Sequence, residues 1–105
     1  MNNTPAWLRK YWDEHPVKRC DRAKDGGCDG RLTKEHAWIY AGRQIQEIWA
    51  VIDLCWYHHL GKGLDKNKNQ LISLRKATGE DLSKYSKKDW IAERRKLEYI
   101  EKTKS

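Results

Sequence analysis

At 105 residues the chain has the length of one domain, and a composition of 38% hydrophobic and 35% charged residues leaves little for a large core. No apolar run exceeds five residues, and Met1-Asn2-Asn3-Thr4-Pro5 lacks the apolar segment of a signal peptide, which reads against a membrane-spanning or secreted protein and for a cytoplasmic one. The net charge of +7 is concentrated late: residues 1–60 hold nine Lys/Arg against eight Asp/Glu, and residues 61–105 hold thirteen against seven. Such a basic half fits a polyanionic partner held through phosphate contacts, most simply nucleic acid, and equally a solvated basic surface.

In chain order, Thr4-Pro5 reads as an N-cap followed by Pro at the first helical position. Trp7, Leu8, Tyr11 and Trp12 form the apolar stripe of that helix, which Pro16 ends. The stripe is expected to pack on the neighbouring module, with His15 at the helix end. Cys20 and Cys28 follow, with seven residues between them, in a turn loosened by Gly26, Gly27 and Gly30. Leu32 to Trp38 reads as a strand carrying Glu35 and His36. A loop around Gly42 and Arg43 leads to a second strand, Ile48 to Leu54, which runs into Cys55-Trp56-Tyr57-His58-His59 and a short helix ended by Gly61 and Gly63.

All three cysteines and three of the four histidines lie between positions 20 and 59. Three unpaired cysteines in an intracellular chain suit a metal better than disulfides, and zinc takes Cys thiolate and neutral His in tetrahedral sites. Cys20, Cys28, Cys55 and His58 make one such set, with Cys-x2-His as its closing pair. His59 in place of His58, at Cys-x3-His spacing, makes another. A structural Zn2+ would help so small a core fold.

The stretch from Cys20 to His59 resembles the HNH endonucleases of the ββα-metal superfamily, in particular small stand-alone phage and prophage members with a zinc-bound scaffold. The resemblance covers about forty of the 105 residues. It implies an α+β fold: a zinc-braced strand, strand and helix core over residues 17–63, an N-terminal helix over 1–16 and a basic helical extension over 64–105. By the same resemblance His36 is the general base, and Glu35 and His59 hold a catalytic Mg2+ or Mn2+. The family's middle Asn falls at Ala50, and Gln44 or Gln46 offers an amide from the loop instead. Arg43, in that loop, is a candidate contact to the scissile phosphate.

The residue types suit that chemistry on their own terms. Hydrolysis of a phosphodiester needs a base to take a proton from water, and an ordinary histidine titrates near about 6.5. It also needs charge stabilisation at the phosphate, which a divalent ion supplies as a Lewis acid. One geometric requirement is severe: adjacent residues in a regular strand point to opposite faces, so Glu35 and His36 act together only where the strand ends or bends.

Beyond Gly63, Asp65 to Thr78 reads as a helix with Leu71, Ile72 and Leu74 inward and Gly79 as its stop. Ser86 and Asp89 have capping-box spacing before a last helix with Trp90, Ile91, Leu97 and Ile100 on one side. Lys87, Lys88, Arg94, Arg95 and Lys96 are its basic surface, suited to gripping DNA phosphates without reading bases. Branched or single-stranded DNA is therefore as eligible a partner as duplex. A non-catalytic zinc module that binds DNA or a protein is the competing reading, and Ala50 favours it.

Overall fold

The computed structural model describes residues 4–104. It is an α+β arrangement built on one long-range pairing. Strand β1 (Leu32–His36) lies antiparallel to β4 (Val51–Cys55), in a register that sets Glu35 opposite Ile52 and His36 opposite Val51. Helix α1 (Ala6–Glu14) precedes this pair, and the short helix α2 (Trp56–His59) follows directly from β4. No helix among the described residues is long and apolar enough to cross a membrane.

The connection from β1 to β4 is more structured than an open loop. β2 (Ile39–Tyr40) and β3 (Arg43–Gln44) form a two-rung hairpin. Its two-residue turn, Ala41-Gly42, has positive φ at both positions (53° and 80°), as the turns matched to strand twist require. The second strand expected from Ile48 begins late. Ile48–Ala50 folds as a 3-10 turn, which sinks Trp49 and Ala50 into the interior. The Ala50 carbonyl there accepts the Ala37 N–H.

The C-terminal part is three helices: α3 (Lys66–Lys76), α4 (Gly79–Ser83) and α5 (Trp90–Lys104). Two caps differ from the sequence reading. Thr78 and Asp81 make a reciprocal capping box that restarts the chain as α4, so Gly79 opens a helix where a stop was expected. Asp89, and not Ser86, caps α5 by accepting the Ala92 N–H. At the other end of the chain Pro5 is the N-cap of α1, one position later than expected, with Thr4 buried beside it.

Two small cores result. One holds Cys20, Ile52, Leu54 and Cys55 beneath the β1–β4 pair. The other joins Trp38, Trp49 and Trp90 with Ile45, Leu71, Leu74 and Leu97. Trp90 meets Trp38 edge-on at 5.1 Å and Trp49 at 5.9 Å, and its indole N–H donates to the Tyr85 carbonyl. Neither expected stripe is wholly inward. Leu8 is fully buried while Trp7 is 52% exposed, and Trp90 and Leu97 are buried while Ile91 is 69% exposed. Because Trp90 ties α5 to both loop tryptophans, Trp90→Ala is expected to cost about 3–5 kcal/mol, measured as a shift of the urea midpoint.

Candidate metal centre and active site

The loop from Cys20 to Cys28 is shaped to bring both sulfurs back to α2. A 3-10 turn over Ala23–Asp25 and positive φ at Gly26, Gly27 and Gly30 reverse the chain. Gly30 is pressed against α2: a Cβ there would lie 2.7 Å from the Trp56 Cβ, on a φ of +81° that side chains rarely adopt. Gly30→Ala is accordingly expected to lower the melting temperature and loosen metal binding, read by a thermal scan with and without added zinc. Arg22, itself buried, fastens the same loop by pairing with Asp25 and donating to the Gly63 carbonyl.

Cys20, Cys28, Cys55 and His58 converge, with all four ligand atoms within 4.8 Å of one another. His58 Nδ1 lies 3.2 Å from Cys55 Sγ, 3.5 Å from Cys20 Sγ and 3.7 Å from Cys28 Sγ. In a tetrahedral zinc site the sulfur-to-nitrogen edge is about 3.6 Å. The group therefore fits an ion such as zinc, and it is His58, not His59, that completes it. Burial would push the Cys55 thiol up, but N–H donation from the His58 and Asp29 backbones, together with the His58 ring and Cys28, outweighs it and pulls the thiol down to about 6. Desolvation, and the crowding sulfurs of Cys55 and Cys20, push Cys28 up to about 11. Since Cys28 is exposed, the crowding is the weightier cause, and a cation among the three sulfurs would relieve it.

His59, the next residue, points the other way, into a second cluster. Thr33 Oγ donates its one proton to the Leu54 carbonyl at 2.8 Å, so towards His59 Nδ1, 2.6 Å away, it can only accept. Nδ1 therefore carries the proton of the neutral ring. That leaves the Nε2 lone pair facing Glu35 Oε1 at 3.8 Å, too long for a hydrogen bond. In the near-octahedral geometry of Mg2+ or Mn2+, neighbouring ligand atoms about 2.1 Å from the ion stand about 3 Å apart, so this pair faces a position such an ion could occupy by drawing the two atoms somewhat closer. The other Glu35 oxygen accepts from Asn69 Nδ2 at 2.7 Å. Burial raises the pKa of Glu35, against the opposing pull of His59, Asn69, Lys66 and Arg22.

The strand pleat separates Glu35 and His36 as alternation requires. Thr33 and Glu35 are turned to His59, while Lys34 and His36 reach the Trp12 ring on the other side. Both residues nonetheless line one depression of about 470 Å3, with Gln44, His59 and Lys66, because β1 ends at His36. His36 Nε2 donates to the Gln46 side-chain oxygen at 2.8 Å, which leaves the other ring nitrogen free to accept a proton. Gln46 thus stands where the loop amide was sought. Ala50 is wholly buried, among the aromatic residues of the core.

Arg43 is exposed on the β2–β3 hairpin and does not line this depression; its neighbour Gln44 does. Of the basic residues singled out on the C-terminal part, Lys88 and Lys96 reach the site, Lys88 the more closely packed. Lys88 stacks over Trp38 and Trp90 and lines an adjoining depression of about 380 Å3 with Glu35, His36, Lys66 and Lys96. Lys87, Arg94 and Arg95 are exposed and line neither depression, and Arg94 lies 4.0 Å from Glu98. Thr33 and Asn69 were not read from the sequence. Asn69 had a signal: with Ser73 it puts two polar residues, one turn apart, on the buried face of α3.

No family model, curated protein or solved structure matches the chain. What it does must be argued from these two clusters.

Proposed function

We propose that the protein is a metal-dependent DNA endonuclease of the HNH type, with the Cys20, Cys28, Cys55 and His58 cluster as a zinc scaffold. The observation that carries this reading is the facing of Glu35 Oε1 and the His59 Nε2 lone pair at 3.8 Å, beside a histidine oriented by Gln46. A Mg2+ or Mn2+ held by Glu35 and His59 would supply Lewis-acid stabilisation of the phosphate and the leaving oxygen. His36, with its Nε2 proton committed to Gln46, offers Nδ1 to a water molecule and takes its proton as the water oxygen attacks phosphorus. The bond from phosphorus to the leaving sugar oxygen breaks, and that oxygen departs with the bonding pair and takes a proton from solvent water. Lys66 and Lys88 supply positive charge on the rims of the two depressions, where the backbone of a nucleic acid would lie.

The other reading, a non-catalytic zinc module that binds DNA, draws on Ala50 in the place of the family's Asn. Cleavage separates the two. Supercoiled plasmid, branched DNA and single strands are incubated with the zinc-loaded protein in Mg2+, Mn2+ or EDTA. Cutting of at least one substrate only in the presence of the divalent ion is expected. Binding to all of them with no cutting under any condition would establish the binding module.

A further inference from the structure

Asn69 is 1% exposed, and its side-chain oxygen is buried without a hydrogen-bond partner. A buried amide with an unmet acceptor lowers stability, so the residue needs another reason to be there. Its amide nitrogen provides one, through the 2.7 Å bond to Glu35 Oε2. Glu35 would otherwise be free to rotate its carboxylate away from His59. On the opposite side, the Leu54 carbonyl, Thr33 hydroxyl and His59 Nδ1 form a chain of two hydrogen bonds that fixes both the tautomer and the tilt of the imidazole. Each of the two facing atoms is thus aimed by a bond made at the far atom of the same group. Outer partners of this kind commonly hold metal ligands in place.

We propose that Asn69 and Thr33 are positioning residues for a divalent cation at Glu35 and His59, with Asn69 acting through the Glu35 carboxylate. The proposal rests on the reading of Glu35 and His59 as ligands, and its test separates the two. Zinc-loaded protein is titrated with Mn2+ and the free ion followed by electron paramagnetic resonance, for the parent, Asn69→Ala, Thr33→Val, Glu35→Ala and the double variant Glu35→Ala/Asn69→Ala.

Loss of a supporting partner of this type commonly weakens metal binding by about 10- to 100-fold, and that is expected for Asn69→Ala and Thr33→Val with zinc content unchanged. In the Glu35→Ala background, Asn69→Ala should add nothing. If the parent binds Mn2+ and Glu35→Ala abolishes it, while Asn69→Ala and Thr33→Val bind as the parent does, the positioning role is wrong and the ligand pair stands. If Glu35→Ala binds as tightly as the parent, or the parent binds no Mn2+, the ligand pair itself is wrong. Asn69→Leu, which fills the same space without the amide, replaces Asn69→Ala should that variant lose its near-ultraviolet circular dichroism.

Discussion

Cys55→Ala is expected to leave the chain unfolded at 25 °C, with loss of both its near-ultraviolet circular dichroism and its bound zinc. Cys55 is the junction of the structure. It ends β4, it is the N-cap of α2, and its sulfur sits 3.2 Å from His58 Nδ1 in the cluster that pins the Cys20–Cys28 loop. The core on that side is only Cys20, Ile52, Leu54 and Cys55, with Ala23, Tyr57 and Ile72 packed against it. Structural zinc sites of this type contribute an apparent ~10–16 kcal/mol at neutral pH, while a domain of this size has a net stability of about 5–15 kcal/mol. Removing one of four ligands therefore takes away a quantity comparable to the whole. A strong zinc chelator should reproduce the unfolding in the parent chain, and re-addition of zinc should reverse it.

The second large effect falls on rate, with the fold left intact. His36→Ala is expected to lower DNA cleavage by about 10²–10⁴-fold, the usual worth of a positioned base. The structural cost should be near 1 kcal/mol, because the ring makes one side-chain hydrogen bond, to Gln46, and an edge contact with Trp12. Gln46→Ala should produce a smaller loss, since it frees the ring to rotate without removing it. Single-turnover cleavage of a fixed substrate at saturating Mn2+ measures both, and a Gln46→Ala rate below that of His36→Ala would show that Gln46 does more than orient the ring.

Some of this arrangement was readable in the amino-acid order and some was not, for physical reasons. The Cys20, Cys28, Cys55 and His58 group was legible because cysteines are scarce here and Cys-x2-His fixes one pair locally. The choice between His58 and His59 was open, since both follow a cysteine at usable spacing; the turn of α2 sends one to the sulfurs and the other to Thr33 and Glu35. The strand that becomes β4 was legible from its Val, Ile and Trp, whereas its pairing with β1 came only as what the resemblance implies. The late start of β4 was not legible, because Trp49 and Ala50 bend into a core completed by Trp90, some forty residues away in sequence.

The Thr78 and Asp81 box was written in the chain, but the glycine between them read more strongly as a stop. Asn69 was hidden for a different reason. Its one-turn spacing from Ser73 is a weak local cue, and it is the packing of α3 against the strands that sets Asn69 at Glu35 and leaves Asn67 exposed.

The separation of a folding metal from a reactive cluster is the centre of this view of the protein, and one paired measurement reaches it. Near-ultraviolet circular dichroism and nicking of supercoiled plasmid in Mn2+ are recorded on the same preparations of parent, His36→Ala and Cys55→Ala. The expected result is a full spectrum with no nicking for His36→Ala, and neither spectrum nor nicking for Cys55→Ala. Equal loss of structure in both variants, or undiminished nicking by a folded His36→Ala, would contradict it.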